Sequence, residues 1–227
     1  MAGKAIAVES GDGFEGRVWE ALKKLFGESE EFEFEEDSKP LAIGSGGRHS
    51  VGRRGILKQH GKPRGYICSK HDMYNFMAQS YVEEHPEEYD LIGQANKRNV
   101  AERKSELKTV LSKNFEPDLA FFDYERKAIV IVEMKTQTKE GSVDEKLETL
   151  DFKRRQYKRL AAYCSFPRVE FNWALDSKFL EPKYDNVKSY LYARDSYFEV
   201  GEVSLALLGL TARLPHYKDP RDTHHYL

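Results

Sequence analysis

The most constraining feature of this sequence is a pair of apolar runs within residues 118–135. The runs DLAFFD and AIVIVEMK stand on either side of a short polar stretch, YERK. Aromatic and β-branched residues favour strands, and a short polar connection between two such runs is typical of a hairpin. The second run contains five consecutive aliphatic or small residues, Ala128 to Val132, which suits a central strand covered on both faces. The segment predicts a β-hairpin that enters the hydrophobic core.

Patterns on either side of this hairpin give the fold class. Phe32 and Phe34 alternate with acidic residues in the manner of a strand, and Ser142 with Glu145 forms a capping box that starts a long helix. The order strand, strand, helix, strand predicts an α/β fold with a central mixed β-sheet flanked by α-helices. Helices are predicted over about 12–26, 71–84, 94–112 and 143–164, and strands over 118–135, 169–175 and parts of 189–210, with a helix between or after the last two.

The length and composition fit a single domain over residues 1–227. A chain of 227 residues, 40% of them hydrophobic, is enough for one core and marginal for two. The apolar runs, such as Ala128 to Val132 and Leu205 to Leu208, are far shorter than the roughly 20 residues of a membrane-spanning helix, so no membrane partner is expected. The two cysteines, Cys68 and Cys164, exclude a disulfide framework and favour a reducing cytoplasm.

Charge is segregated within the first third of the chain. The formal net charge is only −2, so bulk electrostatics do not indicate a partner. Residues 28–37 carry seven acidic side chains, whereas residues 38–71 carry eight basic side chains, no acidic one and seven glycines. Any polyanionic partner therefore has to be argued from this local cluster.

The charged residues at one end of the predicted hairpin are the candidate chemical site. Asp118 precedes the first strand, and Glu133 and Lys135 lie near the end of the second, fifteen and seventeen residues later. Residues two apart on a strand project from the same face, and an antiparallel neighbour can bring Asp118 beside them. Two carboxylates suit a hard cation such as Mg²⁺, with the lysine beside it. A surface hairpin with an exposed Glu133–Lys135 ion pair is the alternative.

These residues resemble the motif of the PD-(D/E)xK nuclease superfamily. Pro117-Asp118 matches its proline-aspartate pair, and Glu133-Met134-Lys135 matches its (D/E)-x-K. The similarity extends to Gln137 and to the segment Gly141–Lys146, which in many restriction endonucleases of this group follow the motif. Glu15, on an otherwise apolar stripe of the first helix, resembles the glutamate that the family often places near the metal, with Glu20 the weaker candidate.

The resemblance implies a Mg²⁺-dependent type II restriction endonuclease that cuts double-stranded DNA at a short sequence. It implies a restriction-endonuclease-like fold with a catalytic core at about 10–30 and 115–210, and a homodimer. A cognate methyltransferase acting on the same site is a further candidate partner. Asp118, Glu133 and Glu15 would bind metal, Lys135 would position the attacking water, and Gln137 would support the site. The alternatives are a repair or junction-resolving nuclease of the same superfamily and a non-catalytic DNA-binding protein with the same fold.

With a nuclease core, the basic segment 38–71 becomes a candidate DNA-contacting insertion. Arginine makes phosphate contacts and bidentate guanine contacts, and lysine contacts phosphates. A solvated, mobile loop is the alternative. The cluster from Lys146 to Arg159 has the corresponding alternatives of DNA contact and a solvated helix face. The candidate DNA-binding residues are Arg48, Arg53, Arg54, Lys58, Lys62, Arg64 and Lys153.

Overall fold

The computed structural model describes residues 4–10, 13–37, 53–70, 72–137 and 143–213. Within these ranges the protein contains both helices and strands. The helices are α1 (Phe14–Gly27), α2 (Asp72–Glu84), α3 (Gly93–Thr109), α4 (Val143–Glu148), α5 (Leu150–Ala161) and α6 (Asp185–Ala193). The strands are β1 (Ala5–Ala7), β2 (Phe32–Glu36), β3 (Arg54–Gln59), β4 (Lys62–Cys68), β5 (Leu119–Asp123), β6 (Ala128–Lys135), β7 (Arg168–Leu175), β8 (Phe198–Val200) and β9 (Glu202–Ser204).

Seven strands form one mixed sheet in the order β2-β3-β4-β5-β6-β7-β8, and β1 pairs with β9. The pairs from β2 to β5 are antiparallel, whereas β7 and β8 are parallel. The predicted α/β class with a mixed sheet is therefore confirmed. The hairpin predicted over residues 118–135 is also confirmed, since β5 and β6 are neighbours joined by four residues, and every residue of β6 before Lys135 is buried.

The chain divides into two compact units. The first comprises Met1–Ser29, Val132–Asp151 and Phe171–Leu227, and the second comprises Glu30–Ile131 and Phe152–Glu170. The single domain predicted over residues 1–227 stays a prediction.

In the second unit, the described part of the basic glycine-rich segment, residues 53–70, contains a hairpin. Residues 54–59 and 62–68 are the strands β3 and β4, and His60 and Gly61 at the turn have φ values of 49° and 74°. Positive φ at both central residues is the geometry that twisted two-residue hairpins prefer. Both alternatives for 38–71 assumed a loop, which is wrong for residues 54–59 and 62–68, whereas DNA contact by this segment stays a prediction. The remainder of the segment up to residue 52, and His71, lie outside the described residues.

Two glycines allow the strands of this hairpin to pack closely against their neighbours. A Cβ on Gly65 would lie 2.4 Å from both Phe121 Cε2 and the Phe122 carbonyl oxygen. A Cβ on Gly55 would lie 2.3 Å from the Glu35 carbonyl oxygen. Gly55 and Gly65 are thus close-packing positions within strands and not loop residues.

We expect the substitution Gly65→Ala to lower the free energy of unfolding by about 1–3 kcal/mol, because an added methyl group must displace backbone as well as a ring. Urea denaturation measures the change. Gly27→Ala is the control: nothing lies within 4 Å of its added Cβ, so it should leave stability unchanged or raise it by up to about 1 kcal/mol. A Gly65→Ala protein as stable as the wild type would contradict the close packing.

The first unit contains α1, whose predicted range of about 12–26 is confirmed by Phe14–Gly27. Phe14, Val18, Leu22 and Leu25 are all buried, as their spacing along one helical face requires. Because these buried residues anchor α1 in the core, the backbone of Glu15, in the first turn of the helix, is held in place.

The long helix predicted over 143–164 is wrong, because it is interrupted at Thr149. The Thr149 hydroxyl donates a hydrogen bond of 2.6 Å to the Lys146 carbonyl oxygen, a side-chain contact that competes with the backbone ladder. The result is α4 followed by α5, with α5 ending at Ala161. Ser142 of the predicted capping box lies outside the described residues, as does the side chain of Glu145.

The segment 189–210, expected to contain strands, begins within helix α6. Val187, Lys188 and Leu191 are all buried on that helix, and residues spaced by one, three and four share one face of a helix but not of a strand. The short strands β8 and β9 follow, and a 3₁₀ turn covers Leu205–Leu208. The helix considered for this region is confirmed, but the strand content is confined to residues 198–204.

Candidate active site

The end of strand β6 carries a partly buried ion pair. Glu133 and Lys135 are two residues apart, and the Lys135 ammonium donates a hydrogen bond of 2.9 Å to Glu133 Oε2. The side chain of Glu133 is only 8% exposed and that of Lys135 is 17% exposed. The structure therefore brings these two predicted residues together, and the alternative of an exposed ion pair is wrong.

Such a pair is poorly explained as a stabilising feature. Removing two charges from water costs several kcal/mol per ion, which their mutual attraction offsets only with good geometry. The Lys135 ammonium also donates 2.9 Å to the Met134 carbonyl oxygen and lies 5.8 Å from the ring centre of the buried Trp173. A carboxylate and an ammonium that are fixed in place and largely shielded from solvent are suited to positioning a nucleophile or stabilising developing charge.

The residues that follow β6 are fixed by Asp176, directly after β7. Asp176 Oδ2 accepts hydrogen bonds of 2.6 Å from the Thr136 hydroxyl and 2.9 Å from the Gln137 backbone N–H. Gln137, predicted to support the site, is buried directly beyond the ion pair. Sequence reasoning missed Asp176, although a lone aspartate after an apolar strand is a recognisable N-cap signal.

The other two predicted carboxylates occupy separate elements. Glu15 is half-buried in the first turn of α1, next to the core residue Phe14. Glu20, the weaker candidate, is exposed and forms a 3.2 Å ion pair with Lys23. Asp118 is half-buried immediately before β5, in the second unit. The participation of Glu15 and Asp118 in a common site with Glu133 stays a prediction.

Metal binding at this site rests on the chemistry of its donors. The predicted ligands are carboxylates. Proteins usually bind Mg²⁺ through a few carboxylate oxygens, and the ion keeps several water molecules as its other ligands. Across the described residues, no group of three or more His, Cys, Asp and Glu side chains is arranged to hold a metal ion. Magnesium binding by Asp118, Glu133 and Glu15 therefore remains a prediction.

Two of the predicted DNA-binding arginines are engaged by carboxylates. Arg64 is buried and pairs with the fully buried Asp123 and, at 3.1 Å, with the exposed Glu125. Burial lowers the pKa of the Arg64 guanidinium, although the nearby negative charge of Glu125 acts in the opposite direction and raises it. Arg54 lies 3.1 Å from Asp37 and 3.0 Å from Asp72. Their charges are balanced within the protein.

The remaining predicted DNA contacts differ in exposure. Lys62 is exposed at the turn end of β4, and Arg53 and Lys153 are half-exposed. Lys58 forms an ion pair with Glu35. Arg48 lies outside the described residues.

Neither cysteine provides an alternative reactive group. Burial raises the pKa of the Cys68 thiol well above its ordinary value and that of Cys164 to about 11. Both thiols are therefore protonated at neutral pH, and a thiolate nucleophile is not available from either.

No helix in the described ranges is long and apolar enough to span a membrane. Comparisons of the chain with protein-family models, curated proteins and solved structures find no match.

Proposed function

We propose that this protein is a Mg²⁺-dependent endonuclease that hydrolyses double-stranded DNA at a short specific sequence, as a type II restriction endonuclease of the PD-(D/E)xK superfamily. The observation that carries the proposal is the partly buried Glu133–Lys135 pair at the end of β6, held at 2.9 Å. Its spacing is that of the superfamily motif, and the mixed sheet around β6 is compatible with a restriction-endonuclease-like fold.

The proposed reaction assigns a role to each motif residue. Asp118 and Glu133 would hold the metal ion, and Glu15 would contribute a third carboxylate directly or through water. Mg²⁺ held there would supply Lewis-acid stabilisation of charge on the phosphate and would lower the pKa of a coordinated water. The Lys135 ammonium positions the attacking water and offsets charge that develops on the phosphate oxygens. Gln137 supports the strand end.

Proposed DNA contacts follow from exposure. Lys62 contacts phosphates, because its side chain is exposed to a polyanion, and the half-exposed Lys153 and Arg53 are further candidates. Arg48, outside the described residues, is a candidate from the sequence alone. Arg54, Lys58 and Arg64 form ion pairs with carboxylates, as described above. Each of them can contact DNA only if a phosphate or base replaces its carboxylate partner. A homodimer, which would present two active sites to the two strands of a palindrome, is proposed together with a cytoplasmic location and a cognate methyltransferase.

We expect cleavage of plasmid DNA in Mg²⁺ and complete loss of cleavage in EDTA, because carboxylates alone repel the phosphate that they are meant to engage. Gel electrophoresis followed by mapping of the cut ends measures both the metal dependence and the sequence. Discrete fragments with constant ends support a restriction enzyme. Cleavage that follows DNA branches or lesions instead indicates a repair or junction-resolving nuclease, and binding without cleavage indicates a non-catalytic DNA-binding protein. Cleavage that persists in EDTA contradicts the proposed chemistry.

A further inference from the structure

We propose that Asp176 is a positioning residue of this site, and that its contacts with Thr136 and Gln137 hold Lys135 in place beside Glu133. The inference rests on the proposed function and adds a residue outside the superfamily motif that it invokes. Asp176 belongs to the same compact unit as Glu133, Lys135 and Gln137.

Asp176 contacts three consecutive residues of the strand end. Its backbone N–H donates a hydrogen bond of 3.0 Å to the Lys135 carbonyl oxygen. Its Oδ2 accepts hydrogen bonds from the Thr136 hydroxyl and the Gln137 N–H. The chain that leaves β6 is thereby attached to the end of β7 by both the backbone and the side chain of one residue. A fixed backbone at residues 135–137 restricts the directions in which the Lys135 side chain can extend.

The remaining contacts show that Asp176 acts through other residues. Its Oδ1 accepts a hydrogen bond of 3.0 Å from the Lys178 backbone N–H, so that Asp176 is the N-cap of the 3₁₀ turn Ser177–Leu180. Both carboxylate oxygens are therefore occupied by protein donors, and the residue is fully buried. This arrangement suits an outer partner that orients a reactive group and does not itself bind substrate or metal.

A second buried carboxylate in the same unit provides a matched control. Glu199 is also fully buried and accepts three hydrogen bonds. Their donors are the Tyr197 hydroxyl at 2.8 Å, the Ser204 N–H at 2.7 Å and the Ser204 hydroxyl. It belongs to the β8–β9 region and has no role in the proposed site. Asp176→Asn and Glu199→Gln each replace one buried carboxylate oxygen by an NH₂ group that faces donors.

The test compares single-turnover cleavage and DNA affinity at a temperature where circular dichroism shows both variants folded. We expect Asp176→Asn to reduce the cleavage rate constant by about 10–100-fold with unchanged DNA affinity, and Glu199→Gln to retain the wild-type rate. Thr136→Val should reproduce part of the Asp176→Asn loss, whereas Thr136→Ser, which keeps the hydroxyl, should restore most of the rate. Equal losses in Asp176→Asn and Glu199→Gln, or no loss in Asp176→Asn and Thr136→Val, overturn the inference.

A readout independent of activity separates this inference from the proposed function. The ¹⁵N resonance of the Lys135 ammonium, assigned by its absence from Lys135→Met, should shift in Asp176→Asn and Thr136→Val but not in Glu199→Gln. If the wild type cuts no DNA, the proposed function fails while a selective shift still supports the positioning role. An unchanged Lys135 resonance in Asp176→Asn overturns the positioning role, whether or not the protein is a nuclease.

Discussion

Replacing Lys135 with methionine is expected to lower the rate of DNA cleavage by about 10²–10⁴-fold while DNA binding is retained, because the substitution removes a group that acts on the attacking water and the phosphate. Methionine keeps much of the unbranched apolar length of lysine, so the strand end should retain its packing. Single-turnover cleavage and gel-shift binding on the same DNA separate the two effects.

Lys188→Met is the matched control for this substitution. Lys188 is also buried and forms a 2.8 Å ion pair with Asp185 three residues earlier, within the same unit as Lys135. Its loss should leave the cleavage rate within about twofold of wild type, since the side chain has no role in the proposed chemistry. Equal activity of Lys135→Met and the wild type would exclude Lys135 from the reaction. Loss of DNA binding by Lys135→Met, with no cleavage by either the variant or the wild type, would favour a non-catalytic DNA-binding protein.

Replacing Asp123 with alanine is expected to lower the free energy of unfolding by about 3–5 kcal/mol, the cost of removing one partner from a buried ion pair. Asp123 is fully buried and pairs with the guanidinium groups of Arg64 and Arg126. Its Oδ1 also accepts 3.0 Å from the Glu125 N–H and 2.9 Å from the Arg126 N–H, which closes the turn between β5 and β6. The variant would leave Arg64 buried without its principal partner.

Glu125→Ala tests whether burial is the reason. Glu125 also pairs with Arg64, at 3.1 Å, but its side chain is 72% exposed. Exposed ion pairs contribute about 0–1 kcal/mol, so this variant should unfold near the wild-type urea midpoint. Similar losses in both variants would mean that the turn is stabilised by something other than the buried contact.

The core of this fold could be predicted because its signals are periodic and local. The five apolar residues from Ala128 to Val132 identified the buried strand β6, and the spacing of Phe14, Val18 and Leu22 identified α1. The Glu133–Lys135 contact follows from the same geometry, since residues two apart on a strand share a face. Burial of that pair depends on the surrounding fold, which the motif alone does not contain.

Features that depend on distant partners could not be predicted in this way. Gly55 and Gly65 resemble loop residues in the sequence, and only their neighbouring strands show that the absence of a Cβ serves close packing. Arg64 resembles a DNA contact until Asp123, fifty-nine residues later, is placed against it. Asp176 is forty residues from Thr136, so its contact with the strand end is likewise invisible to any local pattern.

The most direct test of the central claim is single-turnover cleavage by Glu133→Gln beside Glu199→Gln, over a titration of Mg²⁺ on DNA of known cut position. Both substitutions remove the charge from a buried glutamate of the same unit, but only Glu133 is assigned to the metal and to Lys135. We expect Glu133→Gln to lose at least about 10²-fold in rate at every Mg²⁺ concentration, and Glu199→Gln to follow the wild-type curve. A Glu133→Gln protein that cuts at the wild-type rate would contradict the assignment of the active site to the end of β6.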